Sequence, residues 1–153
     1  MHIRSYEDSD EAAVIALWEA CGLTRPQNDP RKDIARKIAV QRDLFLVGTL
    51  EGRVVASVMA GYEGHRGWIN YLSVDPAVRL RGCGRLLMAE VERRLAAVGC
   101  PKINLQIRSS NAAVIEFYRR IGFAPDDVIC FGKRLRDDQA RAGWPRALRR
   151  GGR

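Results

Sequence analysis

The sequence predicts a single α/β (α+β) domain built around one sheet. Strand-like apolar runs alternate with stretches of helical periodicity, in the order β-α-α-β-β-β-α-β-α-β. One of those strands, ending at Val74, passes through a glycine-rich turn directly into a helix. The length, 153 residues, suits one core and is short for two.

Residues 2–6 alternate His-Ile-Arg-Ser-Tyr and read as a short first strand. Asp8 followed by Glu11 reads as a capping box, opening a helix through Cys21 with Val14, Leu17 and Trp18 on one face and Gly22 closing it. Asp29-Pro30 opens a second helix, aspartate as N-cap and proline in the first turn. Its apolar stripe is narrow (Ile34, Ile38), which puts it on the surface, over the site. Phe45–Leu50 and Val54–Gly61 form a hairpin through Glu51-Gly52-Arg53. A further turn, Glu63-Gly64-His65-Arg66-Gly67, leads into the strand Trp68–Val74. The central helix, from about Gly84 to Val98, buries Leu86, Leu87, Val91, Leu95 and Val98. Lys102–Arg108 alternates as the next strand, a short helix capped by Ser110 or Asn111 runs to Ile121 and is ended by Gly122, and Val128–Leu135 closes the sheet.

The stretch from Val74 to Leu87, V-D-P-A-V-R-L-R-G-C-G-R-L-L, carries the most chemistry. A strand feeding a glycine turn into a helix N-terminus aims several unpaired backbone N–H groups at one point, and the helix dipole adds positive potential there. Arg79 and Arg81 add full charges, so the turn reads as a pyrophosphate receptor. Spacing excludes two common forms of it. A dinucleotide fingerprint needs a third glycine where Leu87 stands, and a nucleoside-triphosphatase loop needs Gly-Lys-Ser/Thr, which does not occur.

Arg79-x-x-Gly82-x-Gly84, with the preceding Val74-Asp75-Pro76, resembles the acetyl-coenzyme A loop of the GCN5-related N-acetyltransferases (GNAT). A second block, N-A-A-V-I-E-F-Y-R-R-I-G-F from Asn111 to Phe123, is similar to another stretch of that family, with Val114 where a small residue is usual. The resemblance runs to about Leu135, with Arg25–Pro30, Gly61–Gly67 and Gly99–Ile103 looking like the small bacterial YpeA-type members. It implies a GNAT fold: a mixed central sheet with helices on both faces and two parallel strands that splay beside a bulge. Those strands are Trp68–Val74 and Lys102–Arg108 by position. The coenzyme arm is then expected against the backbone near Leu72 and Val74, and its phosphates against Arg79, Arg81, Gly82, Cys83, Gly84 and Arg85. Asn111 is expected to contact the pantetheine arm, besides capping its helix, and Tyr118 to protonate the departing thiolate as general acid, unless it is only a packed core tyrosine. Cys83 is expected to be exposed within the loop, and not to be a nucleophile.

The implied activity is an N-acetyltransferase: acetyl moves from acetyl-CoA to a primary amine by direct attack, and the acceptor is a small molecule or a peptide amine. The two places where relatives carry a basic glutamate are occupied here by Gln106 and, near the strand start, Trp68. An amide cannot act as a base. Glu63 is the tentative base or acceptor contact, with His65 beside it, although both also read as solvated turn residues. Tyr71 either packs under a helix or lines the acceptor pocket. The empty base positions keep open an acyl-CoA-binding regulatory domain without turnover.

The four cysteines and two histidines show no metal-ligand spacing, so free thiols and no metal are expected. No apolar run reaches membrane-spanning length and Met1–Tyr6 has no signal-peptide character, so the expected location is cytoplasmic, without a membrane partner. The net charge is +8, but residues 136–153 hold six arginines against two aspartates. Half the excess is therefore in that tail, and the domain proper, 1–135, is only mildly basic. That distribution argues against nucleic acid as the partner. A solvated extension is the plain reading of the tail, and an RNA- or protein-interaction module through it is the rival. Dimers are common in the resembled family, so a homodimer is the assembly it allows.

Overall fold

In a computed structural model, residues 1–138 are described. The predicted tail lies outside the described residues apart from 136–138. The chain runs β1 (His2–Ser5), α1 (Glu11–Ala20), α2 (Pro30–Gln41), β2 (Phe45–Leu50), β3 (Arg53–Tyr62), β4 (Gly67–Val74), α3 (Cys83–Ala97), β5 (Ile103–Leu105) and α4 (Ala112–Arg120). The strands lie in sequence order in one sheet. All pairs are antiparallel except β4–β5, which is parallel because α3 carries the chain back across the sheet.

Helices cover both faces. Leu87, Met88, Val91 and Leu95 of α3 and Tyr118 of α4 pack with Leu46, Ala56, Val58 and Ile69 on one face. On the other, Val14 and Trp18 of α1 and Ile34 of α2 pack with Phe45, Val47 and Met59. The second helix begins as its sequence predicts: Asp29 accepts from the Arg31 amide at 2.9 Å, and Pro30 follows. It is seated on the sheet by polar contacts as well as by Ile34. Gln41 accepts from the Tyr62 amide at 2.9 Å, and Lys37 donates to the Ala60 carbonyl, with burial pushing its amine down to about 8.

Four local expectations differ from the structure. Of the residues predicted for the buried face of α3, Leu86 and Val98 are exposed, because the face toward the sheet runs through Cys83, Leu87, Met88, Val91 and Leu95. The cap before α1 sits one residue earlier than Asp8/Glu11: the Asp10 carboxylate accepts from the Glu7 amide at 2.9 Å while held by Arg4 at 2.7 and 2.8 Å. The buried Asp10 is the better cap because Arg4 compensates its charge. The strand predicted over Lys102–Arg108 pairs only over Ile103–Leu105. Val128–Leu135 forms no strand, and Val128, Ile129, Phe131 and Leu135 are exposed. Strand patterning reports fit to a pleated, half-buried surface, and this segment has no sheet neighbour to supply one. Polar contacts tie the end of this segment and the residues after it to α2 and the loop before it: Arg134 donates to Asn28, and Asp138 pairs with Arg36 at 2.8 Å.

At Gly84 the backbone of α3 comes close to the Phe117 ring of α4. A Cβ built there would stand 3.3 Å from the Phe117 ring and 3.6 Å from Val74. Gly84→Val is expected to destabilise the fold by roughly 1–3 kcal/mol through overpacking, read as a lower urea midpoint at unchanged slope. An unchanged midpoint would show that the Phe117 ring yields freely.

Candidate active site

The site is built where β4 outlives its parallel partner. Pairing with β5 ends at Ile69–Leu105, yet β4 continues to Val74. Backbone from Asn70 to Val74 therefore has no strand paired to it on that side among the described residues, the splay expected between the two strands. Asp75 then ends the strand: its carboxylate accepts from the Ala77 amide at 2.9 Å and caps a short turn over Pro76–Val78.

Gly82, at φ 80°, turns the chain into α3 in a left-handed conformation suited to glycine. The first bond inside α3 runs from the Leu86 amide to the Gly82 carbonyl at 3.0 Å. The amides of Cys83, Gly84 and Arg85 thus precede the helix ladder and are free for an anion. Arg79, Arg81 and Arg85 are all exposed around them. Arg79 also donates from Nε to the Val74 carbonyl at 3.2 Å, and the Cys21 thiol donates to the same oxygen at 3.3 Å. That carbonyl is therefore occupied.

One site expectation is corrected: Cys83 is buried, packed with Val55 and Val78, so only its backbone faces the loop. A side chain at the first turn of a helix can point into the core while its amide points out, which the residue string alone does not reveal.

Opposite the loop, Asn111 caps α4, accepting from the Val114 amide at 3.3 Å. Tyr118 is buried between Phe117 and Phe123, with edge-on ring contacts at 5.1 and 5.3 Å. Its hydroxyl has no hydrogen-bond partner among the described residues, and burial pushes its pKa well above the ordinary phenol value. Leu72, Val74, Phe117 and Tyr118 belong to one apolar cluster, so the end of β4 and the face of α4 are brought together. An open cavity of ≈ 1450 Å³ lies beside β5, lined by Trp68, Asn104, Gln106, Tyr118, Phe123 and Phe131 among others. Tyr118 is the one predicted site residue that lines it; the loop residues 79–85 do not. The buried Asn104 Oδ1, also on that wall, has no partner among the described residues.

Glu63 lies in the β3–β4 turn, where its carboxylate meets the Trp68 side chain at the edge of the cavity, and it does not itself line the cavity. Its carboxylate accepts from the amides of His65 at 2.8 Å and Arg66 at 2.7 Å, which ties the β3–β4 turn and holds its pKa below the usual range. Leu72 lies about 17 Å farther along β4 than Gly67, at ~3.4 Å per residue. Tyr71 settles under the helices, stacked on Trp18, with its hydroxyl 2.6 Å from Asp33. Asp33 was not legible as a neighbour, since only the docking of α2 brings it to β4. Among the described residues no group of three or more His, Cys, Asp or Glu has the arrangement of a metal site.

Residues 8–123 match the family described as Acetyltransferase (GNAT) family. The chain belongs to that family. This GNAT protein is similar to an acetyltransferase of Sodalis glossinidius, 49% identical over 140 residues, covering 91% of this chain and 99% of that one. An acetyltransferase of Pectobacterium atrosepticum is 48% identical over 139 residues with the same coverage. Among solved structures, the fold is similar to AAC(6')-Iy in complex with the bisubstrate analogue CoA-S-monomethyl-acetylneamine. That match has a TM-score of 0.71 at 19% identity, over 87% of this chain and 97% of the other. It is also similar to the Escherichia coli ribosomal-protein-S18-alanine N-acetyltransferase, with a TM-score of 0.66 at 24% identity, over 79% and 76% of the two chains. No helix among the described residues is long and apolar enough to cross a membrane.

Proposed function

We propose that this GNAT protein transfers acetyl from acetyl-CoA to a primary amine in a ternary complex. The observation that carries the reading is the join of two features in one place. The free amides of Cys83, Gly84 and Arg85 among three arginines adjoin the unpaired end of β4, and the buried Tyr118 lies on the same face. Such amides and guanidinium groups suit a pyrophosphate. Unpaired strand backbone suits an extended amide-bearing arm, which it binds as an added strand. The coenzyme supplies an activated thioester there.

The chain's residues divide the remaining work. Backbone near Leu72 orients the arm, with the Val74 carbonyl withheld by Arg79 and Cys21. Asn111 stands at the N-terminus of α4, exposed, where its amide group can reach the arm while its oxygen caps the helix. As the amine nitrogen bonds to the carbonyl carbon and the carbon–sulfur bond breaks, the Tyr118 hydroxyl passes its proton to the sulfur. A phenol with raised pKa can do this because a thiolate in the same apolar surroundings is raised too. The amine's own proton leaves to water, since Glu63 is bound up in its turn. Two fold neighbours are named with different acceptors, a coenzyme-linked acetylneamine analogue and the alanine of a ribosomal protein, so fold alone does not choose between them.

Calorimetric titration with acetyl-CoA, followed by thiol release across an amine panel, tests the reading. Saturable binding, with turnover on at least one amine, is expected. Absence of coenzyme binding would sink it, and binding without turnover on any amine would favour a coenzyme-binding domain.

A further inference from the structure

Among the described residues, three other than glycine adopt left-handed backbone: Glu51 (φ 50°), Tyr71 (53°) and Leu80 (65°). Glu51 begins the β2–β3 turn beside Gly52, where positive φ matches the twist of a tight hairpin. Leu80 is fully exposed in the loop before α3. Tyr71 alone lies inside a strand, and for a bulky ring that backbone region is costly unless the surroundings enforce it.

The register explains what the strain produces. Ser57 pairs with Ser73, but Met59 pairs with Asn70, so Tyr71 and Leu72 together oppose Val58 alone. This is a β-bulge, which re-aims side chains. Ile69 and Leu72 both join the cluster under α3 and α4, whereas Tyr71 turns to the α1/α2 face beside Met59. Without the extra residue, every side chain beyond it would change faces.

Side chains on the α1/α2 face hold the bulge. The Tyr71 ring stacks on Trp18, centroids 4.2 Å apart and planes 17° from parallel. Trp18 is itself pinned, donating to Ser57 Oγ at 2.9 Å, and Ser57 shares a 2.8 Å hydrogen bond with Ser73 just past the bulge. The Tyr71 hydroxyl donates to Asp33 Oδ2 at 2.6 Å, and Arg36 fixes the other Asp33 oxygen at 2.5 Å. Arg36 is held in turn by both oxygens of Asp138, at 3.0 and 2.8 Å. Burial pushes the Tyr71 pKa up to about 12, so the hydroxyl remains a donor through neutral and mildly alkaline pH.

We propose that Tyr71 is a positioning residue for acetyl transfer: clamped by Trp18 and Asp33, it holds the β4 bulge in its left-handed form. That form sets the direction of the Leu72–Val74 backbone toward the gap beyond Leu105. The inference rests on reading this gap as the coenzyme site. If Tyr71 relaxed to negative φ, the peptide groups on either side would rotate, and those aimed at the gap would lose their alignment.

Acetyl-CoA affinity, measured by calorimetry at 25 °C for wild type, Tyr71→Phe, Asp33→Ala, Asp33→Asn and the Tyr71→Phe/Asp33→Ala double variant, tests the clamp. Urea midpoints are measured alongside. Tyr71→Phe keeps the ring stack and loses only the hydroxyl. It and Asp33→Ala are each expected to weaken binding about tenfold, the scale of one well-made hydrogen bond. The double variant should lose no more than either single, and Asp33→Asn, which keeps an oxygen for the hydroxyl, should recover most of the affinity. Unchanged affinity in both single variants overturns the clamp, as does a fall in urea midpoint alone, or losses that multiply in the double variant. Failure of the wild type to bind acetyl-CoA is a separate outcome, which overturns the coenzyme-site reading and the clamp with it.

Discussion

Tyr118→Phe is expected to lower kcat by roughly 10²- to 10⁴-fold while leaving acetyl-CoA affinity within a few-fold of wild type. The variant keeps the ring and therefore the edge-on contacts with Phe117 and Phe123 that bury it. What it removes is a hydroxyl with no partner among the described residues, on a ring that lines the open cavity. Folding stability should accordingly hold, which separates a chemical role from a packing role. Because burial raises the phenol's pKa, the donor stays protonated through the alkaline range used in assays, and no loss of rate assignable to it should appear up to pH ~10. Rapid-quench or steady-state thiol release under saturating coenzyme measures the effect. Wild-type turnover in Tyr118→Phe would mean that water protonates the thiolate.

Trp18→Ala should be the most damaging single truncation for stability, at roughly 3–5 kcal/mol. The indole is fully buried, stacks on Tyr71 at 4.2 Å and on Phe45 at 6.2 Å, and donates to Ser57. Its removal leaves a large hole between α1 and the sheet and frees Tyr71 on one side. Against a typical total of about 5–15 kcal/mol, this is a large fraction, and the melting temperature should fall by on the order of 10 °C. Trp18→Phe keeps a ring for stacking and leaves Ser57 still bonded to Ser73, so it should cost far less. A loss under 1 kcal/mol for Trp18→Ala would show that the α1 face repacks.

The helices show how far local chemistry carries. Asp29 before Pro30 and Asn111 before the 112–120 segment both cap as their types suggest, because a cap is decided within four residues. The glycine turn was legible for the same reason, and Gly82 has the left-handed geometry that such a turn needs. Gly84 was legible as part of the motif but not for its packing role, since Phe117 is far away in sequence. Val128–Leu135 illustrates the opposite error. Its apolar content reads as a strand, but a strand exists only with a neighbour, and β5 ends after Leu105. Glu63 looked available as a base because a string of residues does not show that two backbone amides already claim its carboxylate.

By itself, the sequence determined the order of elements through Arg120, the glycine turn before α3, the tyrosine on α4 and the family to which they belong. Each of these is written in spacing and residue type over a short stretch of chain, where periodicity and capping operate. Tertiary structure alone decided where β4 and β5 part, that Tyr71 bulges in left-handed form against Trp18 and Asp33, that the Cys83 side chain turns inward, and that the Glu63 carboxylate is tied to the amides of its own turn. Those outcomes depend on residues tens of positions apart meeting in one packed arrangement, and no local pattern encodes which of them will meet.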